Sequence, residues 1–167
     1  MKLSRGFTLI ELLIVLSIIL IIAAITIPSM IGVKIHANET SAVASLKAIQ
    51  TAQTTYQTTY SAQGYASSLA ALGGPDSCKP SPATACLIDE VLSSGTKAGY
   101  NFAVIGGNPS SGANTSYVAG AAPAAYNRTG TRRYCTTERN VVRWDANSEG
   151  STAPPTAEEC ARFQPMR

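Results

Sequence analysis

One carboxylate, Glu11, stands inside an otherwise apolar run, Phe7 to Ile27, FTLIELLIVLSIILIIAAITI. An ionisable side chain in such a segment costs on the order of 3 kcal/mol at the centre of a bilayer, so its retention points to a charged partner or a functional role. The other residues with evident chemistry are four cysteines, Cys78, Cys86, Cys135 and Cys160, all beyond the apolar run. They read as disulfides of an oxidising compartment. Four cysteines allow three pairings, and local closure favours Cys78 with Cys86 and Cys135 with Cys160. A zinc site fits poorly, because no CxxC pair is present and the sole histidine, His36, is remote in sequence. GxSxG, phosphate-loop and HExxH patterns are all absent, and one histidine supplies no triad, so the chain does not read as an enzyme. The stretch Asp145-Ala146-Asn147-Ser148-Glu149-Gly150 opens like a calcium loop, but Thr156 stands where an EF-hand places its bidentate glutamate, and a polar surface turn is the better reading.

These residues need elements to hold them. The apolar run follows a basic leader, MKLSRG, and its 21 residues would make a helix of about 30 Å, the thickness of a bilayer's hydrocarbon core. Lys2 and Arg5 favour a cytoplasmic N-terminus, which places everything after the span in the periplasm or outside. A secretory signal peptide fits less well, since its apolar region normally runs about 7–15 residues and carries no glutamate.

Gly6 followed by Phe7, then Thr8-Leu9-Ile10-Glu11-Leu12, closely resembles the cleavage and methylation motif of the type IV pilin and pseudopilin family. The resemblance implies that a prepilin peptidase cuts between Gly6 and Phe7 and methylates the new amino group of Phe7. It also implies that Glu11, fifth in the mature chain, registers an incoming subunit by pairing with the charged N-terminus of a neighbour. Two isolated charges in an apolar filament core would be costly, whereas a hydrogen-bonded pair is tolerable. In the family, a proline at the position of Pro28 accompanies helix loosening during assembly, and Pro28 with Gly32 is the expected kink. The Cys135–Cys160 pairing is similar to the C-terminal disulfide loop of pilins. Major pseudopilins carry a calcium site late in the domain, which keeps a calcium loop of another kind open here.

The remaining chain reads as helix, then connection, then sheet. Between Ile31 and Tyr60, apolar residues recur at Ile31, Ile35, Ala42, Val43, Leu46, Ile49, Tyr56 and Tyr60, the one-sided stripe of an amphipathic helix. The tyrosines of this stripe and Tyr65 read as packing residues rather than as a conduit for electrons. Gly64, Gly73, Gly74 and Pro75 mark turns, Leu69 to Leu72 a short helix or turn, and Leu87 to Leu92 another short helix. Strand signals follow at Tyr100–Ile105, Ser116–Ala122, Arg132–Thr136 and Val141–Trp144, and short loops between them favour an antiparallel meander. The tail from Ser148 onward is low in strand signal.

The organisation expected is therefore residues 1–6 as leader, 7–27 as membrane or filament-core helix and 28–60 as amphipathic periplasmic helix. Residues 61–98 follow as a connecting loop region, and 99–167 as antiparallel sheet and C-terminal disulfide loop. The fold class is α+β, a long N-terminal helix on a small C-terminal sheet, pilin-like. Of 167 residues, removing the leader leaves 161, and the side-chain charge falls from 13 against 10 to 11 against 10, too near neutrality to specify a partner. Arg128, Arg132, Arg133, Arg139 and Arg143 face Glu138 alone in that stretch, but on a two-sided hairpin they need not share a surface.

The function expected is that of a structural subunit of a type IV pilus or related filament. Two alternatives stand beside it: the major pseudopilin of a type II secretion system, and a DNA-binding minor pilin resting on the arginines. Nucleic acid is not the expected partner. The partners implied are other copies in a helical filament, prepilin peptidase and inner-membrane assembly machinery. The chain would be a single-pass inner-membrane protein before assembly, and part of an extracellular pilus or periplasmic filament after it. No cofactor is called for. The sequons at Asn38, Asn114 and Asn127 are near chance in a chain this rich in Ser and Thr.

Overall fold

Thr8 precedes a helix, α1, that runs Leu9–Thr59. The structure, a computed structural model, describes residues 7–75, 77–110, 112–147 and 149–166, apart from the side chains of 25–29, 108 and 110. The chain divides into two units, Met1–Lys34 and Ile35–Arg167. In the first, the large apolar side chains of α1 from Leu9 to Ile22 are exposed. Among the described residues no stretch of helix is long and apolar enough to cross a membrane. The described side chains stop at residue 24 and resume at 30, inside and just beyond the apolar segment that ends at Ile27.

The second unit is built on the amphipathic half of α1. Ala42, Leu46, Ile49, Ala52 and Tyr56 are buried, at the three- and four-residue spacing that places them on one helical face. Opposite them lies a six-stranded antiparallel sheet in strict chain order: β1 (Thr96–Lys97), β2 (Tyr100–Ser110), β3 (Ala113–Pro123), β4 (Arg133–Thr137), β5 (Arg143–Asp145) and β6 (Gln164–Pro165). The period-two alternation of a strand sends Tyr100, Phe102 and Val104 of β2, Tyr117, Ala119 and Ala121 of β3, and Tyr134 of β4 into the same core as the α1 stripe. The β2–β3 register pairs Tyr100 with Pro123 and Ile105 with Val118, and β3 continues Val118 against Thr137.

The other face of the sheet is covered near its middle. Val118, Cys135, Cys160 and Phe163 form a separate small cluster there, under α4 (Ala157–Arg162). Gly120 makes this approach possible, because a Cβ on it would lie 2.8 Å from Pro155 Cδ and 2.9 Å from the Pro155 carbonyl oxygen. The fold is α+β, a long N-terminal helix with a C-terminal antiparallel sheet.

Details depart from the sequence reading where tertiary contacts decide. The short helix expected from Leu87 starts later: α3 is Glu90–Ser93, because Asp89 caps it by accepting the Leu92 N–H at 3.1 Å. Leu87 and Ile88 instead donate their N–H groups to the Leu72 carbonyl at the end of α2 (Leu69–Leu72). The two-residue strands β1 and β6 were not expected, nor was α4. Strands so short carry no alternation to read. Helix α4 does carry a signature, since Thr156 and Glu159 form a capping box.

Candidate assembly site

The residues that single out the N-terminus come together as a helix start. Thr8 Oγ1 accepts the Glu11 N–H at 3.3 Å, while Glu11 Oε2 accepts from Thr8 N–H at 3.3 Å and Thr8 Oγ1 at 3.0 Å. This Thr-x-x-Glu arrangement is a capping box, and it sets a negative charge where the helix macrodipole favours one. All the bonds accepted by the carboxylate fall on Oε2; among the described residues Oε1 has no partner. The signal for the box was present in the sequence, four residues long, and the sequence reading used Glu11 without pairing it to Thr8. Phe7 is 81% exposed. Gly6, the other half of the expected cleavage site, lies outside the described residues, as does the whole leader.

Helix α1 passes through Pro28 and Gly32 without interruption. Among the described residues nothing lies within 4 Å of where a Cβ on Gly32 would sit.

In the second unit, polar side chains of α1 that the stripe did not anticipate hold it to the rest. Glu39 is buried, its side chain 5% exposed. Its Oε1 accepts the N–H of Thr131 at 3.1 Å and the Thr131 hydroxyl at 2.8 Å, and its Oε2 lies 3.7 Å from both Arg132 Nη1 and His36 Nδ1. One residue earlier, Asn38 donates to the Thr129 carbonyl at 2.9 Å. Burial, with the charge of Glu39 behind it, pushes the nearby Tyr134 hydroxyl up to about 12. Gln53, fully buried, donates to Ala66 O at 3.1 Å and accepts from Ala66 N–H at 2.9 Å. A pattern of apolar residues cannot reveal a buried amide whose partner is backbone. His36 is 76% exposed despite facing Glu39.

The cysteines fall into two pairs at disulfide distance, Cys78 with Cys86 and Cys135 with Cys160, with Cα separations of 6.1 and 5.8 Å. The arginines divide. Arg132 stacks 5.0 Å from the Trp144 ring centroid on the side of Glu39. Arg133, on the opposite face, reaches Glu159 at 2.8 Å and Asp145 at 3.4 Å and lies over Phe163. Among the five, Arg139 and Arg143 border one groove. The acidic loop after Asp145 is closed on itself: Asn147 is buried, its amide exchanges two bonds with the backbone of Ser151, and Asp145 Oδ2 accepts the Asn147 N–H. Among the described residues no three His, Cys, Asp or Glu side chains group to hold a metal. The tyrosines contact in pairs, Tyr56 with Tyr60, Tyr65 with Tyr117 and Tyr100 with Tyr134, as core packing.

Residues 1–27 match the family model described as the prokaryotic N-terminal methylation motif. The chain is similar to the type IV major pilin protein PilA of Myxococcus xanthus, 49% identical over 53 residues, which is 32% of this chain and 24% of that protein. It is also similar to the type IV wide pilus major component PilA4 of Thermus thermophilus, 46% identical over 57 residues, 34% of this chain and 44% of that protein. The matched segment thus spans less than half the length of either relative. No solved structure matches the chain. The N-terminal third is type IV pilin-like.

Proposed function

We propose that this chain is the structural subunit of a type IV pilus or a closely related filament, cut between Gly6 and Phe7 and methylated on Phe7 by prepilin peptidase. The observation that carries the reading is the start of α1, where Glu11, the one carboxylate of the apolar run, closes a capping box with Thr8, within the residues that match the N-terminal methylation motif. In a filament, the partner of Glu11 is the amino group of a neighbouring Phe7. Before assembly, the apolar half of α1 holds the subunit in the inner membrane, with the second unit in the periplasm. The role is structural. The relatives are pilus components, which supports a pilus subunit, with the major pseudopilin of a type II secretion system as the alternative. The engagement of Arg132 and Arg133 on opposite faces removes two of the five arginines from any common phosphate-binding surface.

Glu11→Ala tests the reading. It lies outside the sheet-bearing unit, so folding of that unit should be unchanged, and loss of the charge eases membrane insertion. In the filament it strands a buried ammonium, and removing one partner of a buried pair typically costs about 3–5 kcal/mol. Cells with this variant as their only copy should hold processed, folded protein and few or no filaments. Electron microscopy finding filaments of normal number and length, with cleavage confirmed by immunoblot, would overturn the assignment.

A further inference from the structure

The second unit presents two small patches whose chemistry is complementary. The first is a groove of about 330 Å³ on the sheet face that carries α4. Ile105, Gly107, Val118 and Ala161 line it together with Arg139 and Arg143. Gly107 lies two residues from Ile105 on that face of β2, so the absence of a side chain there helps keep the groove open. Ile105 is 54% exposed, unusual for an isoleucine beside a covered cluster. Arg143 is fixed by donating to the Phe163 carbonyl at 3.1 Å, and Arg139 has no carboxylate partner among the described residues. Glu138 also borders the groove, leaving an excess of one positive charge.

The second patch is the outer side of α3. Leu92 is buried, while its neighbour Val91 is 57% exposed and stands next to Glu90. Asp89 is occupied by Lys97 at 2.6 Å, whereas Glu90 has no cationic partner among the described residues. The knob therefore carries an aliphatic side chain and a carboxylate, and the groove an apolar lining and a guanidinium, neither charge ion-paired among the described residues. Helix α3 lies against β1, at one end of the strand order, and the groove crosses β2 to β4 beneath α4.

We infer that the groove between α4 and the β2–β3 strands receives the Glu90–Val91 knob of a second copy, with Val91 against Ile105 and Glu90 paired to Arg139. This rests on the filament reading above. On the filament reading the contact is head-to-tail, each subunit offering a knob to one neighbour and a groove to another, and where its rotation does not close such a contact extends into an open filament. Charge pairing across a rim acts mainly on choice of partner and register.

The test uses the full chain in assembled filaments. Since the four native cysteines are paired, Val91→Cys with Ile105→Cys supplies the free thiols, and a short bismaleimide should convert filaments of the double variant into a ladder of covalent multimers. Either single variant should give no ladder. Glu90→Arg and Arg139→Glu should each lower sheared filament yield by about tenfold, and the two together should restore it close to the wild-type level. Wild-type filaments with no ladder from the double cysteine variant would overturn the contact and leave the filament reading intact. Cross-linking of either cysteine to a different protein, or charge reversals without rescue, would likewise overturn it. Absence of filaments from the wild-type chain would remove the reading on which the contact rests, and the contact with it.

Discussion

Gln53 does for Ala66 what a neighbouring strand would do, exchanging one N–H and one C=O bond with its backbone. Gln53→Leu keeps the apolar volume but leaves two buried backbone groups unpaired, and each such group costs about 1–3 kcal/mol. The expected result is a loss of about 2–6 kcal/mol in the denaturant midpoint analysis of the second unit; a change within error would mean that water replaces the amide. Gly6 acts at the same scale by different means. Glycine leaves an unobstructed backbone beside the scissile bond, so Gly6→Phe should leave the leader attached, as intact-mass spectrometry of the membrane fraction would reveal. Normal cleavage of that variant would count against the peptidase site.

Among the elements, α4 is held by a carboxylate that acid can protonate. Bonding to the Thr156 backbone and then to Arg133 holds the Glu159 carboxyl below its ordinary value of 4.5. A depressed carboxyl contributes stability that is complete above the unfolded value and is lost as the pH falls through the folded one. The docking of α4 should therefore hold at neutral pH and weaken below about pH 4.5, and Glu159→Gln should flatten that dependence. Trp144, the sole tryptophan, pairs with Gln164 just beyond α4, so its fluorescence during pH-dependent thermal unfolding reports the effect. Parallel pH profiles of wild type and variant would exclude Glu159 as the sensor. How much of such elements the sequence discloses depends on their length. The α1 stripe repeats over several turns and β2 and β3 each run 11 residues, long enough for periodicity to exceed chance. Helix α4 has six residues and β6 two, and they exist because Cys160, Arg133 and the β5 edge bind them. The N-terminal site was legible because its motif is contiguous. Glu39 and Gln53 were not, since their partners lie 92 and 13 residues away.

At the scale of the molecule, deletion of residues 1–28 removes most of the first unit and all of the apolar run. The remaining chain should be a soluble monomer whose denatured, unreduced form yields no titratable thiol, because all four cysteines are paired. Several reactive thiols in periplasmically expressed protein would sink the pairing. Reduction should lower stability by about 2–4 kcal/mol per bridge. The strict order β1-β2-β3-β4-β5-β6 also bears on how such a chain can be made. Each strand from β2 onward pairs with the one synthesised just before it, so closures within the sheet stay short, whereas the bonds from α1 to Thr129 and Thr131 close over 91 and 92 residues. Emerging vectorially, N-terminus first, the chain could pair β2 with β3 while its tail was still being threaded. The bridge from Cys135 must wait for Cys160, 25 residues later, so its closure records that α4 has reached the sheet.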